Sequence, residues 1–220
     1  MGYYRAGFEV IGVDINPQPH YPFEFHQADA LTYPLNGFDV IHASPPCQPF
    51  TRGRELRAHQ SGKPSTPDLV EPTRRLLISS GVPWIIENVP GAPLIAPITL
   101  CGSAFGLAVR RHRLFEMSHP PLFLPPCDHR GQGKPVGVYH KMNDQVKGID
   151  HTTGLTVLGG RTASTIDEGQ AAMGITWMTW PELREAIPPA YTQWIGEHLQ
   201  PILTGYGQAQ VRQYEPSQPA

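Results

Sequence analysis

Apolar positions in the first half of the chain fall in short runs of strand length, each closing on a polar or acidic residue. Phe8-Glu9-Val10-Ile11-Gly12-Val13-Asp14-Ile15 reaches an acid, and Phe23 to Phe25 leads through Gln27-Ala28-Asp29-Ala30-Leu31 to another. Phe38-Asp39-Val40-Ile41-His42-Ala43 stops at Ser44-Pro45-Pro46-Cys47, and Val82-Pro83-Trp84-Ile85-Ile86 stops at Glu87. Runs of this length bounded by turn residues predict β-strands. Gly2 to Gly7 reads as the end of a helix capped by glycine, and Pro17 to Pro22 as a rigid linker. Helical spacing follows Thr66-Pro67-Asp68, where cap, proline and acid stand in their preferred order. Leu69, Val70, Thr73, Leu76 and Leu77 then share one face until Gly81. A helix between two strands predicts a crossover and parallel pairing. Residues 97–102 and 113–117 predict a hairpin-like pair. Three helical pieces close the chain: Asp167 to Met173 stopped by Gly174, a short one from Pro181, and Pro189 to Leu203. The last has Ala190, Trp194, Ile195, His198, Leu199 and Ile202 on one face. The order predicts an α/β fold with a doubly wound, mostly parallel sheet, in which ligands collect beyond the carboxyl ends of the strands.

With 220 residues, 40% of them hydrophobic, one core suffices and one domain is expected. Three cysteines without paired spacing form no disulfide framework, and no apolar stretch reaches the roughly 20 residues of a membrane span. With no secretory pattern at Met1 to Gly7, a cytoplasmic, reducing setting is expected. A net charge of −2 means that nucleic-acid binding would need a local positive patch. Thr51 to Pro64 offers one, with four cations against one acid and Gly53 and Gly62 as hinges for a lid. An ordinary solvated loop is the alternative. From His119 to about Ser164 the sequence is rich in proline and glycine, and Gly205 to Ala220 reads as a polar, frayed tail. Cys127, His129 and His140 suggest a metal, but no Cys-x-x-Cys pair accompanies them and no fourth ligand is defined. They are expected to be scattered loop residues, with no metal bound.

Pro45 and Pro46 have fixed φ and no backbone donor, so the turn is stiff and holds Cys47 in one place. On its own Cys47 reads equally as a small buried hydrophobe. The stretch Pro45-Pro46-Cys47-Gln48-Pro49-Phe50 resembles the nucleophile motif of the cytosine-5 DNA methyltransferases. Glu87-Asn88-Val89 and Arg111-His112-Arg113 follow in that family's order. The resemblance implies a Rossmann-like S-adenosylmethionine-dependent methyltransferase acting on DNA with a flipped cytosine, through a covalent Cys47 adduct. By the same resemblance Glu87 serves cytosine N3, while Arg111 and Arg113 steady the base and phosphate. Asp14, Ile15, Asp29, Ala30 and Pro45 contact the cofactor, Asp14 at the ribose hydroxyls and Asp29 at the adenine amino group. Read without it, Asp14 and Asp29 are turn residues. A cysteine after the proline pair, where exocyclic-amino methylases carry an aromatic, also points to carbon-5 chemistry. Two departures stand out: Val109 where the family has glutamine, and Arg184-Glu185 where it has Gly-Asn before Ala186-Ile187-Pro188-Pro189-Ala190.

The implied organisation is a catalytic domain over 1–118 and 165–204, an abbreviated target-recognition region over 119–164 and a flexible tail over 205–220, working as a monomer in a bacterial or phage-infected cell. The family opens with a strand and a glycine-rich turn, and Met1-Gly2 falls where that turn is finishing. The strands ending at Asp14 and Cys47 are therefore expected to keep unpaired inner edges, with roughly ten to fifteen further residues preceding the sequence in the working protein. Two other readings stay open: a non-catalytic DNA-binding remnant, and a cytosine-5 methyltransferase of RNA.

Overall fold

A computed structural model describes residues 1–50, 66–138, 145–149 and 156–213. The cationic 51–64 segment and His140 lie outside the described residues. The described elements in chain order are α1 (Gly2–Arg5), β1 (Ile11–Asp14), β2 (Glu24–Gln27), β3 (Ile41–Ala43), α2 (Val70–Ser80), β4 (Trp84–Asn88), β5 (Ile98–Leu100), β6 (Arg113–Met117), β7 (Val136–Gly137), β8 (Gln145–Ile149), β9 (Thr156–Thr162), α3 (Ile166–Met173), α4 (Trp180–Glu185) and α5 (Pro189–Gln213).

These strands make mixed α/β architecture in three sheets: parallel β1-β2, four-stranded β3-β4-β6-β5, and β7-β9-β8. β3 and β4 are parallel, as the intervening helix requires, with Ile41 opposite Trp84 and Ala43 opposite Ile86. β6 and β5 run antiparallel because a loop through Cys101 to His112, not a crossover helix, joins them. Parallel pairing is thus confined in the central sheet to β3/β4. β1 and β3 share no ladder among the described residues.

Several boundaries differ from the sequence expectation. The second strand ends at Gln27 instead of running to Leu31. The Asp29 carboxylate accepts Leu31 N at 2.9 Å and its carbonyl accepts Thr32 N and Tyr33 N, which turns the chain away. α2 begins at Val70, not at Pro67, with Asp68 Oδ1 accepting Val70 N at 2.9 Å. Gly81 ends it in the left-handed region at φ 73°, where glycine is unstrained. The proline- and glycine-rich region 119–164 holds the β7–β9 sheet. α5 runs on past Leu203 to Gln213.

The core joins the central sheet to α5. Ile85, Ile98, Leu100, Phe115 and Met117 pack against Tyr191, Ile195 and Leu199, with Trp194 and Ile202 half-buried alongside. A second cluster, Val109, Val138, Ala172, Met173, Ile175 and Leu183, seats α3 and α4 against β7 and the residues that lead into β6. α1 lies against α5 so closely that a Cβ on Gly2 would stand 2.1 Å from the Pro189 carbonyl oxygen. α2 packs through Val70, Thr73, Leu77 and the buried Arg74. Arg74 Nε and Nη2 donate to the two Glu116 carboxylate oxygens at 2.7 and 2.8 Å, and Nη2 also reaches the Pro93 carbonyl at 2.9 Å. This fork, with Glu71 on its outer side, bolts α2 to β6.

Candidate active site

β3 and β4 lie side by side in parallel, so both deliver their carboxyl ends to the same rim of the sheet. From β3 the chain enters Ser44-Pro45-Pro46-Cys47, then a single 3-10 turn at Gln48–Phe50 in which Phe50 N donates to the Cys47 carbonyl at 3.0 Å. From β4 come Glu87 and Asn88, both buried. Two contacts fasten one rim to the other. Asn88 Nδ2 donates to the Pro45 carbonyl at 3.0 Å, while Asn88 Oδ1 accepts Val89 N at 2.9 Å. The Ser44 side chain hydrogen-bonds Glu87. The thiol of Cys47, half-buried, thus follows within three residues of a backbone anchored to the Glu87-Asn88 pair.

β6 supplies the cations. Arg113 Nε approaches Glu87 Oε1 at 3.1 Å across the β4-β6 ladder, and both side chains are about nine-tenths enclosed. Arg113 Nη1 also donates to the His112 carbonyl at 2.8 Å. Arg111, just before the strand, is buried. Its Nη2 donates to the Arg184 carbonyl at 2.6 Å and its own carbonyl accepts the Tyr191 hydroxyl at 2.6 Å, so it braces β6 against α4 and α5. Burial pushes the Glu87 carboxyl up; the charge of Arg113, the Ser44 hydrogen bond and the charge of Arg111 oppose that push without cancelling it. Glu87 is therefore easier to protonate than an ordinary glutamate.

Behind this rim runs a polar line that the motifs did not foretell. The Tyr3 hydroxyl lies 2.6 Å from His42 Nδ1, and His42 Nε2 lies 3.2 Å from Ser44 Oγ, which in turn reaches Glu87. The His42 ring stands edge-on to Tyr3 and Phe115. Burial drives its imidazole down to about 4 and pushes the Tyr3 phenol up, so His42 is neutral at pH 7. A neutral ring accepting from Tyr3 and donating to Ser44 satisfies every member of the line, with Ser44 left to donate to the carboxylate. Tyr3 and His42 sit on α1 and mid-strand, and no residue pattern links them across 39 positions.

The expected cofactor residues lie at the carboxyl ends of β1, β2 and β3. Asp14 Oδ1 accepts Asn16 N at 2.8 Å, Gln27 Nε2 donates to the Ile15 carbonyl at 3.1 Å, and Ala28 N donates to the Asp14 carbonyl at 3.0 Å. Ile15, Asp29 and Ala30 are exposed and Pro45 is buried. Each aspartate spends one oxygen on a local turn and keeps a second for a ligand donor. Carboxylate oxygens only accept, which is the chemistry that hydroxyl and exocyclic amino donors of a nucleoside would need from Asp14 and Asp29.

One cluster contradicts the expectation of scattered loop residues and draws in two partners, Cys101 and His112, that the sequence did not single out as ligands. Cys127 and His129, read as scattered, meet Cys101 from the end of β5 and His112 from the start of β6, and the four ligating atoms all lie within 4.8 Å of one another. Spacings of ten, fourteen and one intervening residues match no short motif, so only the β5-β6 pairing could reveal the set.

No protein-family profile matches the chain, and no curated protein matches it in sequence. Among solved structures it is similar to a candidate DNA modification methyltransferase encoded within an E. coli prophage, with a TM-score of 0.54 and 15% identity over 92% of this chain and 95% of that one. It is also similar to the Dnmt2 methyltransferase of S. pombe, with a TM-score of 0.51 and 14% identity over 91% of this chain and 95% of that one. At these identities the likeness shows a shared α/β fold. No helix among the described residues is long and apolar enough to cross a membrane.

Proposed function

We propose that this chain transfers a methyl group to carbon 5 of cytosine in DNA through a covalent adduct on Cys47. The observation that carries the reading is the fastening of the Ser44-to-Cys47 turn onto Glu87 and Asn88, which gathers a thiol, a carboxyl of raised pKa and Arg113 on one rim. Carbon 5 of cytosine is a poor nucleophile. Addition of the Cys47 thiolate to carbon 6 forms a carbon–sulfur bond and moves the π electrons to carbon 5, while Glu87 gives a proton or a hydrogen bond to N3 as charge builds there. Burial favours this role, because it holds the Glu87 carboxyl towards its protonated form. Arg113 fixes the carboxyl's orientation, and Arg111 holds the strand entry that carries Arg113. Loss of the proton on carbon 5 returns the electrons to the ring and expels Cys47. S-adenosylmethionine, held by Asp14, Asp29 and their neighbours, would supply the methyl group as an electrophile. Access to a paired base requires flipping, at a cost of a few kcal/mol.

Labelled methyl incorporation into DNA of mixed sequence tests this. Wild-type protein is expected to label DNA and to form a denaturant-stable complex with 5-fluorocytosine DNA. Cys47→Ser does neither, and Glu87→Gln slows incorporation by about a hundredfold or more. Absence of label from all DNAs refutes the proposal, and label in RNA alone moves the same chemistry to the other polymer.

A further inference from the structure

The strongest feature not used by that chemistry is the meeting of Cys101, His112, Cys127 and His129. Cys101 and His112 are buried and arrive on the rigid β5-β6 pair; Cys127 and His129 come from the loop that follows β6. Cys101 Sγ lies 3.3 Å from His129 Nε2, Cys127 Sγ 3.2 Å from the same nitrogen, and His112 Nε2 3.4 Å from Cys127 Sγ. A tetrahedral zinc ion with ordinary bond lengths separates its sulfur and nitrogen ligands by about 3.6 Å, so these three separations stand within a few tenths of an ångström of that spacing, and the whole set lies within 4.8 Å. The His112 and His129 rings are inclined at 62° with centroids 5.2 Å apart, converging instead of stacking. Ser103 Oγ donates to Cys101 Sγ at 3.2 Å and lies 3.8 Å from Cys127 Sγ, the kind of outer polar contact that supports thiolate ligands. Hydrogen bonds from His112, Ser103 and His129 all converge on the Cys101 sulfur, so the would-be ligands already face one another.

We propose that these four residues bind one structural zinc ion. Two thiolates and two neutral imidazoles make a closed S2N2 set that leaves no position for substrate, the mark of a structural site, and two thiolates balance the ion's charge. Binding releases the thiol protons and exchanges four weak hydrogen bonds for coordinate bonds. The ion pins the loop after β6 onto the sheet that holds Arg113. Its neighbourhood is already braced: Arg110 Nε donates to Gln132 Oε1 at 2.8 Å, and Gln132 Nε2 donates to the Leu107 and Val109 carbonyls at 2.8 Å. This site does not depend on the methyl-transfer reading.

The test is metal analysis of the full chain purified under reductant. About one equivalent of zinc is expected to remain after desalting. Cobalt(II) added to the metal-free protein should give the intense visible bands of a tetrahedral ion together with thiolate-to-metal charge transfer. Cys127→Ser and His129→Ala are expected to lose the stoichiometric zinc, whereas Cys47→Ser keeps it. The cobalt spectrum of the wild-type chain stands even where a variant does not fold. Zinc well below half an equivalent with no cobalt–thiolate band overturns the proposal. So does full metal retention in folded Cys127→Ser and His129→Ala.

Discussion

Glu116→Ala isolates the fork that fixes α2 to the central sheet. Three hydrogen bonds end on this carboxylate: Arg74 Nε at 2.7 Å, Arg74 Nη2 at 2.8 Å and Ile95 N at 2.8 Å. The Arg74 and Glu116 side chains keep only 9% and 5% of their surface, so water cannot replace the lost acceptor. Removing one partner of a buried pair costs about 3–5 kcal/mol, because the surviving charge is stranded. Glu71 and the Pro93 carbonyl still face Arg74, and Glu71 is mostly exposed, so the lower end, about 3 kcal/mol, is expected. For a chain of this size that is a fall of about 6–12 °C in Tm. Urea unfolding followed by circular dichroism measures it. The double variant Arg74→Met/Glu116→Leu removes both charges and should recover at least half of the loss, since only the Pro93 carbonyl and Ile95 N are then short of a partner. A single-variant cost below about 1 kcal/mol, or a double variant no more stable than the single, refutes the stranded-charge argument.

Two further outcomes follow from the polar line and its support. His42 sits at about 4 in the fold against 6.5 in a free chain, so its stabilising effect is complete above pH 6.5 and is lost as pH falls towards 4. At 1.36 kcal/mol per unit this amounts to about 3 kcal/mol, and His42→Gln should flatten the wild-type stability curve over that interval by this amount; parallel curves would sink the assignment. Gly2→Ala forces a Cβ to within 2.1 Å of the Pro189 carbonyl oxygen and 2.0 Å of Thr192 Oγ1, contacts that only displacement of α1 relieves. A loss of about 1–3 kcal/mol is expected, with the His42 carbon-bound proton signals titrating upward by NMR as Tyr3 withdraws; an unchanged melt and titration would show that α1 carries no weight.

Much of the arrangement was legible from residue order because it is local. The Pro45-Pro46 stop, the run before Glu87, the Gly81 and Gly174 stops and the 97–117 hairpin depend on φ preferences and periodicities within a few positions, and β3, β4, α2, α3, β5 and β6 appear where those patterns lie. The misplacements are local competitions decided by side-chain hydrogen bonds: Asp29 capturing Leu31 N, and Asp68 capturing Val70 N. The region after His119 was harder, since short strands such as β7 have little period to read and owe their existence to pairing with β9.

Chain order by itself determined which residue types stand at the strand ends: an acid at Asp14, a thiol at Cys47, a carboxyl at Glu87. Tertiary structure alone decided what those groups experience. Arg113 meets Glu87 only because β6 folds back on β4, Tyr3 meets His42 only because α1 docks on α5, and Cys101 joins Cys127 only because β5 and β6 pair. Backbone preferences act over a few residues and survive in sequence as period and punctuation. Burial, charge coupling and ligand geometry come from contacts between segments 15 to 80 residues apart, and nothing in local spacing encodes them.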